Sequence, residues 1–252
     1  MSVAVLALKP VRARELHVEH TPFQTIKVVE ADGRRCLRFG DGPRELNQSC
    51  RSLEHPERVE LEYARAVVAL SLSLEPFPQR VLVIGLGGAS IPNALIDAHP
   101  HVLIDAVELD PAVISVAEKY FGFITTDRVR AIPGDGAAFI ERRVGEGAHY
   151  DLVILDAFDE HGIPPELFTR ALLERIRDLN GTEGVFVANT FASSSPNEAA
   201  LVREVFASSM RIDVGHNRLL VGGRTRPVRS SPALERIGAT EKWLRGWRVN
   251  AP

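Results

Sequence analysis

Only two cysteines occur in the 252 residues, Cys36 and Cys50, and neither stands beside a histidine or at metal-ligand spacing from the other. That pattern excludes a cysteine-built metal site and a cysteine–histidine nucleophile, and both are expected as reduced structural thiols. The eight histidines are scattered without ligand spacing, so no metal is expected. No apolar run reaches the roughly eighteen residues that cross a bilayer, and the N-terminus has no signal-peptide core. The expectation is therefore a cytoplasmic chain with no membrane partner. Charge of one sign is lacking too, the formal net charge being -3. Arg224, Arg226 and Arg229 form a basic cluster, but no aromatic residues interleave it, so it reads as a solvated segment and no nucleic-acid partner is expected. No internal repeat or low-complexity segment is present. What remains is a hydrophobic content of 45%, enough at this length to bury a full core.

The first 55 residues differ in pattern from the rest. Phe23–Glu30 and Arg35–Phe39 are short runs split by Ala31-Asp-Gly33, which reads as a β-hairpin, with a second turn at Gly40-Asp-Gly42. After His55-Pro56 a helical period takes over from Glu60 to Leu74, with Leu61, Ala64, Val67, Val68 and Leu72 on one face. The expected division is a small N-terminal β domain over 1–55 and a nucleoside-binding catalytic domain over 56–252.

In the second region, strands and helices alternate. Val81-Leu-Val-Ile-Gly-Leu-Gly-Gly88 is an apolar strand entering a glycine turn, and Ser90-Ile-Pro opens a helix with proline in its first turn. Gly85, Gly87 and Gly88 suit a turn whose backbone must approach a ligand closely. A second strand, from Val102 to Leu109, carries Glu108, which lies 23 residues after Gly85 (108 minus 85). That is close to the roughly twenty-residue offset at which an acid reaches a ribose hydroxyl. Asp110 and Pro111 suit the N-cap and first residue of a helix over 112–120. A third strand, Val129–Pro133, runs into Gly134-Asp135-Gly136, which places Asp135 and Gly136 toward an adenine. Glu108 and Asp135 can each cap the helix that follows them as well as meet a ligand.

A fourth stretch, Tyr150-Asp-Leu-Val-Ile-Leu-Asp-Ala-Phe-Asp159, is a buried strand that empties into two carboxylates three residues apart. In an open parallel sheet the carboxyl ends of the strands face the ligand, so Asp156 and Asp159 point to a cationic or proton-losing substrate. A helix is expected from about Pro165 to Leu179, a strand over 184–190 and a capping box at Ser195–Glu198 opening a helix through Phe206. Residues 211–214 and 218–221 suit a closing hairpin. Asn189 and Thr190 end their strand as polar residues that satisfy the backbone or line the crevice. His161 reads as a solvent-facing loop residue, and Trp243 and Trp247 as a C-terminal anchor.

These residues together resemble the polyamine aminopropyltransferases, the spermidine synthase family, in a divergent branch. The resemblance implies an α/β, Rossmann-like domain of the class I S-adenosylmethionine-dependent methyltransferase type, preceded by a small N-terminal β domain, in a homodimer. It places Asp156 on the catalytic acid, and Asp159, within Asp159-Glu-His-Gly-Ile-Pro-Pro-Glu-Leu-Phe168, on the amine-substrate position. Gln24 and Tyr63 fall on substrate-pocket positions and Gln48 on the nucleoside side. Gly85, Gly87, Gly88, Glu108, Asp135 and Gly136 fall on the nucleoside-binding set.

The implied co-substrate is decarboxylated S-adenosylmethionine, and the implied partner a small-molecule amine. An alkylammonium has a pKa near 10, about like lysine, so a carboxylate must take its proton before the nitrogen attacks. Asp156 is the expected base. Three positions depart from the pattern: Gly88 stands where the family carries an aspartate for the donor's amine, Ala64 follows the pocket tyrosine, and Glu160 replaces a proline. Gly88 keeps open a methyltransferase using intact S-adenosylmethionine. A non-catalytic nucleoside-binding protein is the third reading.

Overall fold

Four runs of buried aliphatic side chains make the centre of the molecule. The computed structural model describes residues 13–41, 47–158, 163–193, 196–223, 232–244 and 248–250. Strands β5 (Arg80–Ile84), β6 (Leu103–Glu108), β7 (Val129–Pro133), β8 (Leu152–Leu155) and β9 (Val185–Phe191) are parallel neighbours in the order β9-β8-β5-β6-β7. The sheet continues antiparallel from β9 through β11 (Asn217–Gly222) and β10 (Ser209–Val214) to β12 (Arg248–Asn250). Chain order therefore reverses between β5 and β8, which opens a crevice at their carboxyl ends.

Both faces of this sheet are covered, which is why its strands read as near-continuous apolar runs. Val81 and Val83 of β5 pack on the side holding α1 (Glu62–Ser71) and α2 (Ser90–Ala98). Leu82 and Ile84 pack on the side of α4 (Gly136–Gly145), α5 (Arg170–Asn180) and α6 (Pro196–Val205). Helix α3 (Pro111–Phe121) starts at Asp110, whose carboxylate accepts from the Ala112 amide at 3.0 Å, and ends at Gly122 in the left-handed region. The chain closes with α7 (Pro232–Arg236) and α8 (Glu241–Leu244).

The N-terminal unit is larger than a hairpin. It is an antiparallel sheet of β1 (Arg14–His20), β2 (Thr25–Ala31), β3 (Arg34–Phe39) and β4 (Asn47–Ser52). Ile26, Val28 and Leu37 bury against Val113, Val116 and Phe121, all three on α3, at roughly 1.5–3 kcal/mol for each large aliphatic side chain removed from water. The Thr21 hydroxyl adds a hydrogen bond to Asp110 at 2.7 Å, and the Arg35 guanidinium one to the Tyr120 carbonyl at 2.8 Å. The small sheet is thus fixed beside the crevice.

Three expectations are corrected. Cys36 and Cys50 are not reduced thiols: they face each other across the β3–β4 ladder and form a disulfide. Helix α1 is shorter than 60–74, because Leu61 is its N-cap and Leu72 its C-cap. The expected single helix from Pro165 is a one-turn 3-10 helix, Pro165–Leu167, followed by a break and α5, because the Thr169 hydroxyl accepts from the Leu172 amide at 3.2 Å and starts a new helix there. Arg224, Arg226, Arg229, Ser195 and Trp247 lie outside the described residues. Trp243 packs on the main core and stacks against the Arg65 guanidinium. No helix among the described residues is long and apolar enough to cross a membrane.

Candidate active site

The crevice holds a cavity of about 210 Å³. The turn after β5 forms its floor, with Gly85 (φ +93°) and Gly87 (φ +52°) in the left-handed region that only glycine adopts freely. Glu108, at the end of β6, reaches under this turn: one carboxylate oxygen accepts from the Leu86 amide at 2.9 Å and the other from the Asp110 amide at 3.1 Å. A carboxylate has about four lone-pair positions, so Glu108 retains acceptor capacity for a pair of hydroxyls. Burial pushes its carboxyl up, against the backbone amides that favour its charge.

Asp135 caps α4 through the Ala138 amide at 2.7 Å and also lines the cavity, so capping and lining coincide. Gly136 packs against β5, where a Cβ would meet the Ile84 side chain at 2.5 Å. Gln24 from the turn before β2, Gln48 from β4 and Tyr63 from α1 also line the cavity. Gly88 does not line this cavity. Its amide donates to the Ser49 hydroxyl at 2.9 Å, and it faces a second cavity of about 560 Å³ beside Cys50 and Arg51.

Asp156 follows β8, and its amide donates to the Ile84 carbonyl at 2.8 Å. Its Oδ1 accepts from the Asn189 side-chain amide at 2.9 Å. Its Oδ2 lies 3.4 Å from the Tyr63 hydroxyl, which also reaches the Gln48 carbonyl at 3.1 Å. Burial pushes the Asp156 carboxyl up to about 7; the hydrogen bonds from Asn189 and Tyr63 oppose that rise, and the nearby charge of Glu108 adds to it. Burial and Asp156 likewise hold the Tyr63 phenol well above its ordinary value, so it stays a donor. Asp159, Glu160 and His161 lie outside the described residues.

Asp110 and Glu166 also line the cavity, the latter from the 3-10 turn. Five acidic residues, Glu108, Asp110, Asp135, Asp156 and Glu166, thus line one cavity with no lysine, arginine or histidine among its described lining residues. Sequence reasoning missed Glu166, Phe23, Ser49 and Asn217. Glu166 was within reach, since it sits in the Pro-Pro-Glu-Leu-Phe continuation of the acidic strand end. Phe23 and Ser49 belong to turns and strands whose position depends on tertiary packing. Among the described residues no group of three or more histidines, cysteines or acids is placed to hold a metal ion.

Residues 60–210, more than half of the chain, match the spermine/spermidine synthase domain. The chain belongs to that family. A polyamine aminopropyltransferase from Vibrio vulnificus is 38% identical over 194 residues, covering 76% of this chain and 64% of its own length. The eEF1A lysine and N-terminal methyltransferase of Bos taurus is 34% identical over 142 residues, 51% of this chain and 20% of that protein. The chain thus spans less than two thirds of these relatives. Among solved structures, a probable spermidine synthase from Corynebacterium glutamicum superposes with a TM-score of 0.75 at 20% identity, covering 93% of this chain and 90% of that one. Human methyltransferase-like protein 13 in complex with SAH gives 0.60 at 29% identity, with 75% of this chain and 95% of that one covered. The Rossmann-like, methyltransferase-type fold of this spermidine synthase family member agrees with the resemblance read from its sequence.

Proposed function

We propose that this protein is an aminopropyltransferase that moves an aminopropyl group from decarboxylated S-adenosylmethionine to a di- or polyamine. The observation that carries the reading is the cavity lined by five acidic residues, with no basic residue among its described lining. Sulfonium, donor ammonium and acceptor ammonium are all cations, and such a lining attracts each of them. At an effective dielectric of about 20 and a separation of about 4 Å, one such contact contributes roughly 4 kcal/mol before desolvation. The carboxylate of an intact donor has no basic side chain to meet among those residues.

In this reading Glu108 holds the ribose hydroxyls, Asp135 and Gly136 stand at the adenine, and Gln24, Gln48 and Tyr63 close the cavity from the side of residues 1–55. Asp156 takes the proton from the acceptor ammonium, and Asp159 orients that amine. The free nitrogen attacks the propyl carbon bonded to sulfur. The new C–N bond forms as the C–S bond breaks, its electrons stay on sulfur, and neutral methylthioadenosine leaves. A carboxyl near 7 is a stronger base than an ordinary aspartate by about three powers of ten, closer to the nitrogen it must deprotonate.

The methyltransferase relatives and the glycine at position 88 favour a second reading, transfer of a methyl group from intact S-adenosylmethionine to an amine. Calorimetric binding of S-adenosylmethionine, its decarboxylated form and methylthioadenosine, side by side, separates the two. Tighter binding of the decarboxylated donor, followed by turnover in a screen of diamines and polyamines, is the expected result. Preference for intact S-adenosylmethionine moves the assignment to methyl transfer. Binding of none of the three overturns both.

A further inference from the structure

Asp156 is the end of a line of two asparagines to which the proposed transfer assigns no role, one bonded to its carboxylate and the second to the first. The Asn189 amide nitrogen donates to Asp156 Oδ1 at 2.9 Å, and the Asn217 amide nitrogen donates to Asn189 Oδ1 at 3.0 Å. The fold creates this line: Asn189 pairs with Leu219 and Asn217 with Phe191 on the antiparallel β9–β11 ladder, so the two asparagines are diagonal neighbours on one face. Asn189 is 1% exposed, and a side-chain amide so deep requires its partners. Its orientation is also determined. An ionised carboxylate only accepts, so with Asp156 ionised Asn189 turns its NH2 toward it and its carbonyl toward Asn217.

We propose that Asn189, oriented by Asn217, is a positioning residue that fixes the rotamer of Asp156 and favours its ionised form by donating to the carboxylate. The inference rests on the role proposed for Asp156, but its physical content is a titration that can be read without turnover. The groups facing this carboxylate are Tyr63 from α1, Glu108 from β6 and Asn189 from β9, with Asp110, Asp135 and Glu166 lining the same cavity. Of these, Asn189 makes the shorter of the two hydrogen bonds to the carboxylate. Without it, burial and the charge of Glu108 act with only Tyr63, among the described residues, to oppose them. Donation to the charged form lowers a carboxyl pKa, so its removal must raise it. Asn217 acts one step further out and more weakly, by letting the Asn189 amide rotate.

The test follows carboxyl carbons by NMR in full-length protein labelled at aspartate, with the Asp156 signal assigned by its loss in Asp156→Asn. Asn189→Leu, close in volume and without a donor, is expected to raise the Asp156 midpoint by about one pH unit, and Asn217→Ala by less in the same direction. The acidic limb of kcat/KM is expected to move with the midpoint. A buried residue with a merely structural role would lower stability without moving either. An unmoved midpoint in both variants overturns the inference, and should Asn189→Leu fail to fold, Asn217→Ala alone decides. A midpoint that moves in a protein with no aminopropyl transfer would reject the proposed reaction and leave the positioning role standing. Transfer by Asp156→Asn at the native rate would reject Asp156 as base.

Discussion

The backbone of Gly85 runs so close to Asp156 that a Cβ on Gly85 would stand 2.7 Å from the Asp156 carbonyl carbon. The glycine turn after β5 and the acid after β8 are therefore one packed unit at the sheet's switch point, and the floor of the cavity is set against the backbone of the proposed base. Gly85→Ala meets both a left-handed φ of +93° and a backbone obstacle. It is expected to cost roughly 1–3 kcal/mol or more in urea denaturation. Gly87→Ala, whose Cβ would meet only the Ser49 hydroxyl at 3.0 Å, is expected to cost less. Equal losses in the two variants would remove the contact with Asp156 as the cause.

The elevated carboxyl of Asp156 ties rate and stability to pH in opposite directions. A general base works ionised, so kcat/KM is expected to rise with pH through about 7, where an ordinary aspartate would already be ionised above about 5. The fold favours the neutral carboxyl. That contribution to stability is complete below the unfolded value of about 4 and is lost as pH climbs through about 7. Asp156→Asn is therefore expected to lose about two to four powers of ten in turnover, and to gain more in thermal stability at pH 8 than at pH 5. Steady-state kinetics and melting curves at the two pH values check both halves; a stability gain that does not grow with pH would contradict the buried charge.

How much of this was legible in the sequence differs between the two sheets. Strands β5, β6 and β8 are largely buried, mainly apolar runs ending in glycine or acid, as buried parallel strands must be, and the edge strand β7 also ends in a glycine and acid turn, so Glu108, Asp135 and Asp156 could be placed at strand ends from the sequence. Strand β4, Asn-Gln-Ser-Cys-Arg-Ser, has one apolar residue and owes its conformation to pairing with β3, so neither it nor the disulfide at Cys50 carried a local signal. Asn189 was visible as a strand-end polar residue. Its partner was not, because Asn217 lies 28 residues downstream and is brought back only by the antiparallel turn of β11.

Glu108 supports the glycine turn and, in the proposed reading, also holds the ribose, and substitutions separate the two. Its carboxylate supports the glycine turn through the Leu86 amide and retains lone pairs toward the cavity. Glu108→Ala is expected to weaken methylthioadenosine binding about 10–100-fold, since hydrogen bonds to a charged group contribute about 1.5–3 kcal/mol. Glu108→Gln keeps an acceptor for Leu86 and is expected to fall between Ala and native. Calorimetry with methylthioadenosine measures this directly, and native affinity in Glu108→Ala would end the ribose assignment.

Gly88 stands where the family pattern has an aspartate, and the packing around it argues against simply putting one back. A Cβ there would stand 2.7 Å from the Ser49 Cβ and 3.1 Å from the Phe121 ring, and the Gly88 amide already holds the Ser49 hydroxyl at 2.9 Å. The small sheet comes in close over the glycine turn, and a larger residue at 88 must push β4 and the end of α3 apart. Gly88→Asp is expected to cost about 1–3 kcal/mol through overpacking, lowering the melting temperature without improving discrimination between decarboxylated and intact S-adenosylmethionine. Ser49→Gly removes the nearest obstacle, so the double variant is expected to recover part of that loss while still lacking the Ser49 hydroxyl as an acceptor. Melting temperatures and the ratio of the two donor dissociation constants, measured on both variants, test the argument. A Gly88→Asp protein as stable as native that binds the decarboxylated donor at least tenfold more tightly would mean that the side chain reaches the donor's amine, and that selectivity is set at position 88 instead of by the acidic lining.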